Sequence, residues 1–255
     1  MARIFITGSS DGLGLGAARL LVSQHHEVVL HARNDGRALV ARTLLPEAAD
    51  VVVGDLTTIA GMRQVAEAAN ATGPFDAVIH NAAVGSNWPR RIVTADGLSH
   101  VFAINVLAPY LLTAEIEMPS RLVYLSSGDH FHGDPSLDDL QFEHRRWNGS
   151  QAYADSKLFD AVLAAAVARH RSDVLSNAVD PGWVATKMGG PGAPDDLALG
   201  SVTQTWLAVS DDAEARVSGA YFYHQRPRPA NPSMHDDQIQ EGLLAACAGI
   251  VGDRI

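Results

Sequence analysis

The chain reads as an α/β protein: a doubly wound parallel sheet of about seven strands with helices on both faces, in one domain over residues 1–255. Three observations predict this. Short β-branched runs alternate with helix-like segments through the first half. Those runs are apolar on successive residues, as in strands covered on both sides. The 255 residues, 47% hydrophobic and 19% charged, suffice for a large single core.

In chain order, Ile4–Thr7 is expected as a strand, followed by a helix from about Gly12 to Gln24. Glu27–Ala32 and Asp50–Val53 are the second and third strands. Thr58–Asn70 sets Ile59, Met62, Val65, Ala66 and Ala69 on one helical face. Phe75–His80 and Arg121–Ser126 are strands, and a long helix runs from about Gln151 to His170. Asp173–Val179 and Ala220–Tyr223 complete the sheet. Three segments depart from this rhythm: the long polar stretch Gly128–Gly149, a small lid near 187–200 around a Gly/Pro run, and an extended tail from about 226. A short helix is expected after it, from about His235.

The net charge of −10, with no basic face, argues against a nucleic-acid partner. No run approaches the roughly 20 apolar residues of a membrane span, and the N-terminal apolar run is too short for a signal peptide. Leu158–Val167, which contains Asp160, reads as a buried helix. A single cysteine, Cys247, allows no internal disulfide. The expected location is the cytoplasm. The eleven histidines lack ligand partners at metal-binding spacing, so no metal is expected.

Thr7-Gly8-Ser9-Ser10-Asp11-Gly12-Leu13-Gly14 follows a strand and opens a helix. Glycines there let the chain turn sharply and let a pyrophosphate approach the backbone at the positive end of the helix. The spacing is Gly-x-x-x-Gly-x-Gly, so an empty tight turn is the competing reading. After the second strand come His31-Ala32-Arg33-Asn34, with no acid to accept from a ribose 2′-hydroxyl. Arg33 instead suits a 2′-phosphate, favouring NADP over NAD. Asp11 sits where a basic residue would favour NADP further, and reads as a helix cap. Asp55 and its neighbour Leu56 end the third strand, beside the adenine. Asn81 and Ala82 end the fourth, where the asparagine can order the backbone or serve as a plain turn residue.

Tyr153 and Lys157 stand four apart, on one face of the long helix. A free phenol, with a pKa near 10, is a poor acid/base at neutral pH. A Lys ammonium at about 4 Å contributes roughly 4 kcal/mol at an effective dielectric of 20, about three pKa units. That brings the phenol toward the working pH, as proton transfer to a carbonyl oxygen requires. Ser127 closes the fifth strand's turn and can hydrogen-bond the reacting oxygen, with Ser126 as the alternative. Asn105 lies in an otherwise helical apolar stretch, where asparagine is unfavourable unless its side chain is used or the helix bends. Its expected use is to hold a water linking Lys157 to solvent. Pro181, Gly182, Val184 and Thr186 follow the sixth strand and suit the nicotinamide carboxamide.

With these residues in place, the chain resembles the short-chain dehydrogenase/reductase family over about residues 2–250. Thr7–Gly14 matches its cofactor turn, and Asn81-Ala82-Ala83 its Asn-Ala-Gly segment with alanine replacing glycine. Ser127, Tyr153 and Lys157 match its catalytic triad, Asn105 the fourth member, and Pro181-Gly182 through Thr186 its nicotinamide segment. The long Ser127-to-Tyr153 interval, with Asp138-Asp139-Leu140, is similar to the retinol-dehydrogenase-like branch. Ser156-Lys157-Leu158 and Ser218-Gly219-Ala220-Tyr221-Phe222 point the same way.

The resemblance implies a single Rossmann domain, a nicotinamide cofactor and no metal. The expected activity is interconversion of a carbonyl and an alcohol, with NADP held by Gly8, Ser10, Gly12, Leu13, Gly14, Arg33, Asp55, Leu56, Asn81, Ala82, Tyr153, Lys157, Pro181, Gly182, Val184 and Thr186. The expected substrate is a hydrophobic small molecule, in a pocket lined by His130, Phe131, Trp147, Trp183 and Met188. The alanine-rich face of the Tyr153 helix offers a surface to a second subunit or to the sheet. The competing functions are a non-catalytic NADP sensor and a halohydrin dehalogenase-like lyase. The retained Tyr153 and Lys157 weigh against the first, and the glycine turn and Lys157 against the second.

Overall fold

The structure, a computed structural model, describes residues 1–255. Seven strands pair in parallel: β1 (Arg3–Ile6), β2 (Glu27–Ala32), β3 (Asp50–Val53), β4 (Ala77–His80), β5 (Arg121–Leu125), β6 (Leu175–Asp180) and β7 (Tyr221–Tyr223). The order is β3-β2-β1-β4-β5-β6-β7, with the winding direction reversing between β1 and β4. An eighth strand, β8 (Arg226–Pro227), pairs antiparallel to β7. It arises because His224 and Gln225 both adopt positive φ, 48° and 60°, and fold the chain back on β7. Such two-residue turns favour Asn and Gly, so this hairpin carries no ordinary sequence signal.

The helices are α1 (Gly12–Ser23), α2 (Asp35–Leu44), α3 (Ile59–Ala71), α4 (His100–Phe102), α5 (Ala108–Glu115), α6 (Gly149–His170), α7 (Val202–Val209) and α8 (Asp237–Val251). Successive strand residues point to opposite faces. Ile4 and Ile6 therefore pack with Leu15, Leu21 and Leu207 of α1 and α7, while Phe5 packs with Met62 and Val65 of α3. The second layer is the larger, because it also takes α5, α6 and α8. Burying each such side chain contributes about 1.5–3 kcal/mol.

Two helices lie where none was expected. Asn34 caps α2 by accepting from Arg37 N at 3.0 Å. Its buried face is just Ala38 and Ala41, too little apolar periodicity to notice. In α7 the polar run Thr203-Gln204-Thr205 is buried, and Gln204 and Thr205 donate back to Gly200 O and Ser201 O. The C-terminal helix is also longer than expected: α8 has 15 residues, from the Asp236 cap to Gly252 at φ 86°.

Sixteen of the 22 residues of α6 are buried within the single chain. The sheet covers one side, and Leu243, Cys247 and Val251 of α8 share the core with it on the other. Arg169 anchors the helices together through Gln240 and Glu241. The alanine-rich face is thus occupied by the chain itself. α4 joins α5 through a π-turn, Ala103–Leu107, which contains Asn105. Its side chain is hydrogen-bonded to Val84 and Ser156, which is why an asparagine can stand in this helix. No helix is long and apolar enough to cross a membrane.

Candidate active site

A cavity of ≈1530 Å³ opens along the carboxyl ends of the strands. It exceeds the roughly 300–1,000 Å³ of ordinary small-molecule sites, leaving room for an extended dinucleotide and a substrate together. Ligands of open α/β sheets bind at this edge, next to the winding reversal. Every sequence-predicted catalytic and cofactor residue lines it except Gly14 and Asn105.

The glycine turn links β1 to α1. Gly8 has φ 60°, and a Cβ there would lie 2.7 Å from Ala82 Cα. Gly14 backs the turn: a Cβ would meet Asn81 Nδ2 at 2.5 Å. Asn81 holds the arrangement, donating from Nδ2 to Thr7 O at 2.9 Å and Gly8 O at 3.0 Å. Gly12, at φ 56°, has open space where its Cβ would stand. This backbone, with glycine at positions 8, 12 and 14 and ending at a helix N-terminus, fits a pyrophosphate.

Three residues of this half were missed in the sequence. His31 on β2 accepts from Gly8 N at 2.9 Å and bonds Gly54 O at 2.9 Å through its other nitrogen. One buried imidazole thereby ties three strand ends together, and burial pushes its pKa down, favouring the neutral ring these bonds need. Arg37 on α2 donates to Ser10 Oγ and to Asp11 Oδ2. Lys187 reaches Asp11 Oδ2 at 2.8 Å from across the cavity. Asp11 therefore serves as a bridge and not as the expected cap: it makes no side-chain cap bond to α1. Arg33 is exposed on the cavity wall, and Asp55 accepts from Thr57 N while lining the same region.

At the other end, β5 and α6 bring Ser127, Tyr153 and Lys157 to one wall. Ser127 Oγ accepts from Asp129 N at 3.2 Å and lies beside the Tyr153 phenol, whose ring centre is 5.8 Å from Lys157 Nζ. Ser126 turns the other way, donating to Lys157 O at 2.7 Å inside the core. Asn105 accepts from Val84 N and donates to Val84 O and Ser156 Oγ, so it braces the cavity wall and α6 beside Lys157. Its amide makes no direct bond to Lys157.

The electrostatics depart from expectation. Burial raises the Tyr153 phenol above its usual 10.0, and the charge of Lys157 only partly opposes this. Burial is the main cause, with Asp129 and then Asp160 adding to it; Asp160 is a residue the sequence presented merely as a charge in an apolar run. Its Oδ2 accepts from Lys157 Nζ at 2.8 Å, and the same Nζ donates to Leu125 O at 2.7 Å. The ammonium is therefore already neutralised from behind.

The segment after β6 forms the remaining wall. Gly182, at φ 83°, donates to Asp180 Oδ1, and Trp183 N donates to Asp195 Oδ2. Thr186 Oγ1 accepts from Gly189 N. Lys187, Met188, Gly189, Asp195 and Leu197 of the 187–200 region line the cavity. Trp183 and Met188 face it as expected, but the other three aromatic positions do not. His130 is buried, stacked 4.2 Å from Tyr221, and its Nε2 accepts from Asn231 N. Trp147 packs on Phe142 and donates to Trp88 O, while Phe131 stays outside. The polar insertion before α6 folds inward because Arg145 pairs with Asp134 and with Asp155, two residues from Tyr153.

Comparison with known proteins agrees with this architecture. Residues 2–121 match the family model for short chain dehydrogenases. An uncharacterized oxidoreductase of Emericella nidulans is 44% identical, covering 99% of this chain and 98% of its own. The short-chain dehydrogenase chyC of Penicillium rubens is 40% identical, over 100% of this chain and 99% of its own. Mouse retinol dehydrogenase 13 is only 28% identical, over 98% and 83%. The resemblance to the retinol-dehydrogenase branch is therefore distant, and the fungal enzymes are nearer relatives. The crystal structure of an uncharacterized Mycobacterium paratuberculosis protein superposes with TM-score 0.85 at 21% identity, over 100% of this chain and 94% of that one. With a relative above 40% identity along its whole length, a nucleotide-shaped glycine turn and a Ser-Tyr-Lys wall, this chain belongs to the short-chain dehydrogenase/reductase family.

Proposed function

We propose that the protein is an NADP(H)-dependent oxidoreductase that interconverts a hydrophobic carbonyl compound and its alcohol. The observation that carries this reading is the convergence of Ser127, Tyr153 and Lys157 on the cavity whose far end is the glycine cradle. Family membership supports nicotinamide-dependent redox chemistry in general. The bound cofactor would supply or accept the hydride; the chain supplies everything else. Gly8, Ser10, Gly12 and Leu13 cradle the pyrophosphate, with Gly14 behind. Asp55 and Leu56 flank the adenine, Asn81 and Ala82 the adjoining ribose edge, and Pro181, Gly182, Val184 and Thr186 the carboxamide.

In carbonyl reduction the Tyr153 phenol gives its proton to the substrate oxygen. Ser127 Oγ hydrogen-bonds that oxygen as charge develops on it. Lys157 stabilises the phenolate left behind, and Asn105 keeps the wall around the proton path in register. Trp183 and Met188 shield the reacting atoms from water, and the 187–200 segment acts as the lid. Preference for NADP rests on Arg33-Asn34 directly after β2, where an acid would favour NAD, and on Arg33 and Arg37 lying on that wall, Arg37 paired with Asp11. Two similar structures, one of a metagenomic blue fluorescent protein and one of Pseudomonas aeruginosa RhlG, were determined with NADPH and NADP respectively. The expected location remains the cytoplasm.

Tyr153→Phe tests the mechanism. Turnover should fall roughly 10²–10⁴-fold, measured as NADPH oxidation across aldehydes, ketones and quinones, with NADPH binding nearly unchanged. Substantial residual activity would refute the acid/base role. Tight NADPH binding by the parent protein without turnover of any substrate would favour a sensor.

A further inference from the structure

Asp160 is buried against the catalytic wall. The Lys157 and Asp160 side chains are 3% and 4% exposed. In every other ion pair at least one side chain is 30% or more exposed. Taking two charges out of water costs more than a surface pair returns, so such a pair is weak evidence of a purely stabilising role. Its location suggests another: the Nζ it binds is the one that faces the Tyr153 ring.

The surrounding groups offer no second cation. Asp160 is faced by Lys157 from α6 and by Tyr124 from β5, whose hydroxyl bonds Thr113 and whose ring stacks on His80 of β4. His80 is buried and neutral, its pKa held down to about 3. Tyr153 is faced by Lys157 and Asp160 on its own helix, Ser127 and Asp129 after β5, and Tyr221 on β7. Lys157 is thus the positive charge that acts on the phenol, and burial, Asp129 and Asp160 act against it, Asp160 alone by pairing with the ammonium itself.

We propose that Asp160 is a positioning residue, which holds the Lys157 ammonium against Leu125 O and offsets its pull on Tyr153, biasing the site toward proton donation and carbonyl reduction. This rests on Tyr153 being the acid/base of the reaction. Leu125 O and the forming Tyr153 phenolate hold the ammonium charged even without Asp160. Asp160 limits how far that charge acidifies the phenol.

The test is tyrosine ionisation in cofactor-free protein, followed by near-ultraviolet absorbance and assigned to Tyr153 by subtracting Tyr153→Phe. In Asp160→Asn the Tyr153 step should move down by about one pH unit, the size expected for removing one opposing charge nearby. Asp160→Glu should leave it in place, and adding Lys157→Met to Asp160→Asn should move it back up. An unmoved or higher step in folded Asp160→Asn overturns the proposal. The parent protein gives a check that needs no change at Asp160: its Tyr153 step should lie above that of free tyrosine, and a step at or below it overturns the proposal equally. Because no substrate or cofactor is present, failure of the oxidoreductase reading would appear separately, as lost turnover with the titration unchanged.

Discussion

At the β1–α1 end of the cavity the ligand would meet backbone: Gly8, Gly12 and the first turn of α1, held by Asn81 and His31. At the β5–α6 end it would meet side chains, and these are rooted in the core. Ser126 bonds Lys157 O, Lys157 bonds Leu125 O and Asp160, and Asn105 bonds Ser156. The first region needs space and φ freedom, and its failures should be steric. The second needs charge balance in a poorly solvated place, and its failures should depend on pH.

The sharpest way to break this contrast is at the turn. Gly14→Val places atoms where Asn81 Nδ2 and Gly8 O already stand, 2.5 and 2.8 Å from the new Cβ. Overpacking of this kind costs about 1–3 kcal/mol or more, so NADPH Kd should rise roughly 10- to 100-fold by fluorescence titration. The Tyr153 ionisation step should not move. A changed ionisation with unchanged Kd would mean the two regions are not separable.

A smaller effect is expected at the ribose wall. Arg33→Asp should weaken NADPH about tenfold or more while affecting NADH far less, since a charge-assisted bond contributes about 1.5–3 kcal/mol. Equal affinity of the parent for both cofactors would remove the NADP assignment.

The smallest effect per pH unit concerns the buried core behind the chemistry. Burial holds the His80 pKa down to about 3, below the 6.5 of a solvated imidazole, and its Nδ1 has no partner to reward protonation. The folded state therefore binds fewer protons there than the unfolded chain. Its contribution is present above pH 6.5 and is lost as pH falls toward 3. Asp160, raised to about 6, works in the opposite sense below that pH, so the comparison must be between variants. The parent should lose about 1.4 kcal/mol more per pH unit than His80→Gln over this range, measured by urea unfolding. Parallel slopes would show that His80 does not titrate on unfolding.

Much of the fold could be read from the chain because its signals are local. β2 and β3 were expected at the residues they occupy, and β1, β5 and α1 within a residue at each end. Those runs are apolar on successive residues because both faces are covered. What escaped notice lacked such patterning. α2 buries two alanines, α7 hides polar side chains that bond their own preceding turn, and β8 depends on non-glycine residues at positive φ. Pocket lining was hardest to foresee: His130, Phe131 and Trp147 are suitable by type, yet two pack inward and one points away.

The residue types and spacings in this chain were enough to establish the layered α/β fold, the glycine cradle and the Tyr153–Lys157 pairing, since each follows from short-range geometry of strand, turn and helix. Folding alone decided that Asp160 lies against Lys157, that His31 joins three strand ends, and that α8 covers α6. A charge's effect depends on its distance from other charges and from water, and neither distance is written in the order of the residues.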